Sequence, residues 1–277
     1  MLPNFILAGA PRCGTTWLYD CFREHPQIFV PEVKEVRFFD LNYAKGLDWY
    51  YSFFEKSRGE PALGELSPTY MYHSEVPRRI QEWNREVKLI FSLRPPLDRA
   101  YSAYCNALFE GTVSDDVNRL LSPDSYWAET SLYYKHISRF LEFFPLSQVK
   151  ILIFDDLKNN PGDFLRDIFT YLEVEQKFLP KMLNSRSNIR KPLQKNLGWK
   201  NTIVRMKNSL RQKSRLFGKV IEVMRRTGVG DFIFRLNKGE EYPVLAPESR
   251  RKLLEFFKPD VMNLSSLINR DLSAWLK

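Results

Sequence analysis

The residues best suited to chemistry lie near the start of the chain. There the run Gly9-Ala-Pro-Arg12-Cys13-Gly14-Thr15-Thr16-Trp17 follows the short apolar stretch Asn4–Ala8. Glycines on both sides of a tight loop let the backbone turn back, so that successive N–H groups face one anion. A helix starting at the loop adds the partial positive charge of its N-terminus. Thr15 and Thr16 add hydroxyl donors, and Arg12 places a cation inside the loop. A second dense set, Arg94-Pro-Pro-Leu-Asp-Arg99-Ala-Tyr-Ser102-Ala-Tyr104, also follows an apolar run. Arg94 sits where a strand ends, and Ser102 lies in the first turns of the helix that follows. Both are placed to reach a second phosphate; the plainer alternative pairs Arg94 and Arg99 with surface acids.

The first loop resembles the nucleotide-binding P-loop, with one departure that bears on its chemistry. A triphosphatase of that type carries Lys and then Ser or Thr directly after the second glycine, to hold phosphates and magnesium. Here the lysine position is Thr15 and the cation is Arg12. That argues against a P-loop kinase, which stays as the alternative enzyme. A non-catalytic anion- or membrane-binding module on the same fold is the alternative outside enzymology.

Together the two segments resemble the sulfotransferases that use 3′-phosphoadenosine 5′-phosphosulfate (PAPS). Gly9–Trp17 is similar to the family's 5′-phosphosulfate loop, and Arg94-Pro-Pro-x-x-Arg99-x-x-Ser102-x-Tyr104 to its 3′-phosphate motif. The resemblance implies that Arg12, Cys13, Gly14, Thr15 and Thr16 surround the 5′ end of the donor, and that Arg94 and Ser102 hold its 3′-phosphate. Trp17 either stacks on adenine or is a core aromatic. Lys34-Glu35-Val-Arg37-Phe-Phe-Asp40, Gly64-Glu65-Leu66-Ser67-Pro68 and Ser131-Leu-Tyr133 through Pro145 resemble the carbohydrate branch that includes heparan sulfate sulfotransferases. The closing segment after Pro247 is similar to that of bacterial members.

In that branch, the glutamate before the Phe-Phe pair takes the acceptor proton, which makes Glu35 the implied base. Its apolar neighbours Val33, Val36, Phe38 and Phe39 are expected to enclose it. Without the resemblance, Glu35 reads as a surface residue in a charged run. Arg12 takes the place of a cation that neutralises charge on the leaving oxygen. Arginine does this electrostatically and donates no proton, so Lys34 is a candidate auxiliary, or else a solvated lysine. Lys34, Glu65 and Tyr133 are the implied acceptor-side residues, with Glu65 orienting a loop or the acceptor. Heparan-type enzymes carry lysine where this chain has Leu66. The acceptor class is therefore left at a hydroxyl or amine of a carbohydrate or glycolipid.

These residues need elements to position them. Apolar runs at Asn4–Gly9, Val87–Leu93 and Val149–Phe154 read as buried strands; helical spacing follows Gly14 and covers Leu97–Phe109, Leu132–Phe144 and Gly162–Leu172. Apolar strands alternating with helices predict a P-loop-like three-layer α/β/α fold around a central parallel sheet. The chain reads as one sulfotransferase domain over 1–277, with an α/β core at 1–180, a basic helical insertion at 181–246 and closing helices at 247–277. Pro259 is expected to break the closing segment into a helix pair.

The net charge of +9 is local: Lys181–Arg226 holds 14 Lys and Arg against Glu222 alone, or +13, which leaves −4 for the rest. Within it Arg190 and Lys191 are candidate phosphate ligands. Apolar residues at helical intervals from Ile203 to Met224 fit either a solvated helix packed on the domain or a basic amphipathic helix in peripheral contact with anionic membrane. No recognition module accompanies the charge, so nucleic acid is not an expected partner. His25, His73 and His136 lack metal-ligand spacing, and no metal is expected. Three cysteines, no basic leader and no long apolar stretch lead to the expectation of a cytoplasmic protein.

Overall fold

The computed structural model describes residues 2–113, 116–184 and 242–277. The chain divides into two compact units, one of Met1–Ala103, Asn118–Ile189 and Ala246–Lys277, the other of Tyr104–Val117 and Arg190–Leu245. The five strands among the described residues, and every side chain discussed below, belong to the first. Most of the basic insertion, with Arg190, Lys191 and the 203–224 pattern, lies outside the described residues.

The strands are β1 (Phe5–Gly9), β2 (Ile28–Phe29), β3 (Ala62–Leu66), β4 (Lys88–Leu93) and β5 (Val149–Ile153). They form one parallel sheet in the order β2-β3-β1-β4-β5. Among the described residues the α-helices are α1 (Thr15–Glu24), α2 (Gly46–Tyr51), α3 (Val76–Trp83), α4 (Pro96–Phe109), α5 (Val117–Leu120), α6 (Tyr126–Glu129), α7 (Tyr133–Leu141), α8 (Phe154–Asn159), α9 (Pro161–Leu172) and α10 (Pro247–Leu267).

The alternation of β1 sets the layers. Phe5 and Leu7 face a core built with Trp17, Leu18 and Phe22 of α1 and Phe164, Leu165, Ile168 and Phe169 of α9. On the opposite face Phe91 of β4 meets Phe140 of α7 edge-on at 5.0 Å. The sheet is thus parallel with helices on both faces, as expected.

Two of the five strands among the described residues escape the periodicity. β2 is two residues long, and β3 carries Gly64 and Glu65 in place of an apolar run. Gly64 is required by the pairing itself: a Cβ there would stand 2.2 Å from the Phe5 carbonyl oxygen of β1.

The closing segment also departs from expectation. Pro259 lies inside one continuous α10 rather than between two helices. An interior proline costs about 3 kcal/mol. The helix also buries Leu253, Phe257, Val261 and Leu264, and such side chains contribute about 1.5–3 kcal/mol each. Packing therefore outweighs the local penalty. The carboxylate of Asp260 accepts from Tyr134 N (3.0 Å) and Lys135 N (2.9 Å), at the first turn of α7. Burial pushes Asp260 up to about 6, against the lowering effect of those amides. Asp260→Ala leaves the α7 donors unsatisfied and is expected to lower stability by about 1–2 kcal/mol, measured by urea denaturation at pH 8. Asp260→Asn is expected to cost less.

Candidate active site

The first loop leaves β1 at its C-terminal end, and the second motif leaves β4 beside it. β1 lies between β3 and β4, where chain connections depart in opposite directions along the sheet; ligands of open α/β sheets bind above such points. Three polar ties fix the loop. Ala10 N donates to Ser92 O (3.0 Å), Ser92 Oγ donates to Cys13 O (2.7 Å), and Arg99 Nε donates to Pro11 O (3.4 Å). Arg99 is buried, and its Nη1 also donates to Thr130 Oγ1 (2.6 Å), Trp127 O (3.2 Å) and Ser131 Oγ (3.3 Å). Arg99 therefore supports the loop from beneath instead of pairing with a surface acid. Gly14, at φ +81°, ends the loop; no side chain caps the first turn of α1, the arrangement that suits an anion.

The loop and the second motif touch directly. Arg94 Nη1 donates to Arg12 O (3.4 Å), and Arg12 Nε donates to Ser102 Oγ (3.4 Å). Arg94 also pairs with Asp98 at 3.2 Å, and its guanidinium lies 5.6 Å from the Phe154 ring centre. Its Nε is buried without a hydrogen-bond partner.

The acidic segment arrives from the β2 side. Lys34 Nζ donates to Thr16 Oγ1 (2.9 Å) and pairs with Glu35 Oε1 (3.3 Å). A lysine thus bridges the loop hydroxyl to the candidate base. The expected apolar enclosure of Glu35 is not formed: Val33 is 53% exposed, Phe38 and Phe39 turn into an aromatic core with Tyr50, and the Glu35 side chain is 36% exposed. Glu35 and Arg37 hold φ values of +64° and +55°, and Arg12 one of +72°. Such backbone costs roughly 1–3 kcal/mol per residue and persists only where surrounding contacts impose it. Arg37 pairs with Asp40 at 2.7 Å, and Asp40 also faces His73 at 3.6 Å.

The other sequence-derived candidates sort by burial. Thr16 and Lys34 are half-buried at the site, while Thr15 is buried in the first turn of α1. Trp17, 5% exposed and packed 6.4 Å from Phe164, occupies the core position that the sequence left open for it. The Cys13 side chain is turned inward, 3.8 Å from the Tyr133 hydroxyl, and burial raises its thiol pKa. Glu65 and Tyr133, expected on the acceptor side, are 1% and 0% exposed and lie under the surface. His25 is structural: its Nε2 lies 3.0 Å from Glu175 O, and its ring is flanked by Phe169 and Phe178. Ser92 was missed. Its one signal is a hydroxyl in an otherwise apolar run. A cavity of about 480 Å³, lined in part by Arg23, Phe29, Glu32, Val33, Phe53 and Lys56, borders the acidic segment through Val33 but includes none of the loop residues.

The donor set fits a ligand with two anionic ends. It comprises an uncapped helix start, Arg12, Ser102 and an arginine whose buried Nε lacks an acceptor, all joined by direct contacts. What the fold and site define is a P-loop-like α/β domain whose first loop carries donors suited to an anion. The chain matches the sulfotransferase domain model over residues 2–265, and it belongs to that family. It is 32% identical over 187 residues to heparan sulfate glucosamine 3-O-sulfotransferase 5 of Mus musculus, covering 62% of this chain and 54% of that protein. It is 28% identical over 303 residues to the bifunctional heparan sulfate N-deacetylase/N-sulfotransferase 2 of Bos taurus, covering all of this chain and 31% of that protein. The chain thus spans about half or less of the length of these two curated relatives. In structure it is similar to a sulfotransferase from Alicyclobacillus acidocaldarius, with a TM-score of 0.72 at 24% identity and full coverage of both chains.

Two outcomes follow from this geometry. A Cβ on Gly14 would stand 2.7 Å from the Phe154 ring at a φ that disfavours side chains, so Gly14→Ala is expected to lower Tm and weaken anion binding together, read by thermal shift with and without nucleotide. Burial pushes Glu65 from the usual 4.5 up to about 7, and the nearby Asp40 charge adds to the rise; the hydroxyls of Ser67 and Tyr70 oppose it. A carboxyl raised in the folded state favours folding while protonated, and that contribution is lost as pH rises from about 4.5 through 7. Glu65→Gln is expected to flatten that part of the stability-versus-pH curve, measured by denaturant unfolding at stepped pH.

Proposed function

We propose that this chain transfers the sulfuryl group of PAPS to a hydroxyl or amine of a carbohydrate acceptor. The observation that carries the reading is the direct contact of the Arg12 loop with Arg94 and Ser102, with Lys34 and Glu35 at its edge. The family membership, and the heparan sulfate enzymes among the relatives, support both the reaction and the acceptor class.

The nucleotide, when bound, supplies an activated sulfuryl group on a phosphate leaving group. The chain supplies position and charge. The first turn of α1, with Gly14, Thr15 and Thr16, holds the 5′ end, while Arg94 and Ser102 hold the 3′-phosphate. Arg12 offers a fixed positive charge to the leaving oxygen, a stabilisation strongest where water is scarce. Glu35 takes the acceptor proton, and Lys34 keeps its carboxylate beside the Thr16 hydroxyl. Leu66 is uncharged and 2% exposed, so recognition of an anionic glycan rests on other cations, such as Arg37, which lies two residues beyond Glu35 and pairs with Asp40.

The test uses sulfur-35 PAPS with a panel of glycans, lipids and phenols, and calorimetry with the desulfated nucleotide. A general base contributes on the order of 100- to 10,000-fold, so Glu35→Gln is expected to keep nucleotide affinity and lose at least about 100-fold in turnover. Arg94→Ala is expected to weaken nucleotide binding roughly 10- to 100-fold, the worth of a charge-assisted hydrogen bond. Normal turnover of Glu35→Gln removes it as the base. Tight binding of magnesium–ATP with no response to the desulfated nucleotide overturns the reading in favour of a kinase.

A further inference from the structure

We infer that Glu65 is a positioning residue: its buried carboxylate orients two hydroxyls that in turn anchor the backbone segment carrying Glu35. The inference rests on the proposed role of Glu35. Glu65 lies in β3, paired in register with Ile6 of β1, so its backbone belongs to the rigid centre of the sheet. Ser67 Oγ donates to Glu65 Oε2 (2.7 Å), and Tyr70 Oη donates to Glu65 Oε1 (2.8 Å). Each hydroxyl then accepts a backbone amide from the acidic segment. Arg37 N donates to Ser67 Oγ (3.0 Å), and Phe39 N donates to Tyr70 Oη (3.1 Å).

The direction of this relay is dictated by the acid. A hydroxyl has one proton to donate. When each hydroxyl donates that proton's hydrogen bond to Glu65, the oxygens' lone pairs are left to accept from Arg37 N and Phe39 N. A carboxylate accepts at both oxygens at once. An amide accepts at one only, and its NH₂ group competes with the loop amide for the other hydroxyl. The anchored segment needs such holding, because Glu35 and Arg37 both sit at positive φ, a conformation that relaxes unless contacts impose it. Sequence spacing gives no hint of this, since Glu65, Ser67 and Tyr70 come from β3 and the turn after it, some 30 positions beyond the residues they hold.

The experiment compares the full chain with Glu65→Gln, Ser67→Ala and Ser67→Thr at pH 8. Three quantities are read: amide hydrogen exchange by mass spectrometry, turnover with sulfur-35 PAPS and an acceptor from the panel, and affinity for the desulfated nucleotide. Glu65→Gln and Ser67→Ala are each expected to speed exchange in peptides covering 36–42 at least roughly tenfold, with β1 and β4 peptides unchanged, as local opening predicts. Turnover is expected to fall by about tenfold with nucleotide affinity kept, because misplacing the base affects only the chemical step. Ser67→Thr is expected to restore both, and the double variant Glu65→Gln/Ser67→Ala to fall no further than the worse single one, because both act through one chain of contacts. Unchanged exchange at 36–42 overturns the inference. So does faster exchange with full turnover, or loss of nucleotide affinity in step with turnover. If the unaltered chain transfers no sulfate to any acceptor, the sulfotransferase reading fails separately, and the exchange result still decides whether Glu65 anchors the segment.

Discussion

The arrangement depends on holding several positive charges together above the C-terminal ends of two neighbouring strands. Like charges a few ångströms apart repel by about 4 kcal/mol at 4 Å with an effective dielectric of 20. Arg12, Arg94 and Arg99 meet this constraint in three ways. Arg99 is buried, with its donors spread over carbonyls and hydroxyls. Arg94 pairs with Asp98 and lies over the Phe154 ring. Arg12 takes a left-handed backbone conformation that sends its side chain to Ser102. A ligand with two phosphate-type ends would neutralise what remains. Under the proposed function, the charge that makes the loop hard to assemble is the charge that would hold such a ligand.

The catalytic candidates are thus held by contacts remote in sequence. The loop after β1 is fastened to Ser92 of β4 and to Arg99 of α4, and its inward-facing Cys13 meets Tyr133 of α7. α7 is in turn capped by Asp260 of α10. The acidic segment is fastened to β3 and the turn beyond it. Arg12 and Glu35 each occupy costly backbone, and each is braced from a different element of the same sheet. This fits a site in which the protein's work is to fix a cation and a base relative to one another, since positioning supplies much of the rate in group transfer.

Some of this was legible in the amino-acid order. The glycine-bounded loop, its arginine in place of a P-loop lysine, the second Arg–Ser motif and the three apolar strands all follow from residue type and spacing, because they depend on local backbone freedom and on burial of short runs. β3 was not legible: Gly64 and Glu65 break its apolar pattern, the first to let β1 approach and the second to sit beneath the acidic segment. The continuity of α10 through Pro259 was likewise hidden, since a proline's local cost is visible in a sequence and the packing that exceeds it is not.

Sequence alone determined which chemical groups are present and which short stretches turn, extend or coil, because those preferences are set within a few residues. Tertiary structure alone decided which side chains line the candidate site. It placed Trp17, Glu65 and Tyr133 inward and Lys34 between Thr16 and Glu35, and it left Glu35 half-buried where enclosure was expected. Burial and contact across tens of residues depend on how the strands order themselves in the sheet, and no local preference encodes that order.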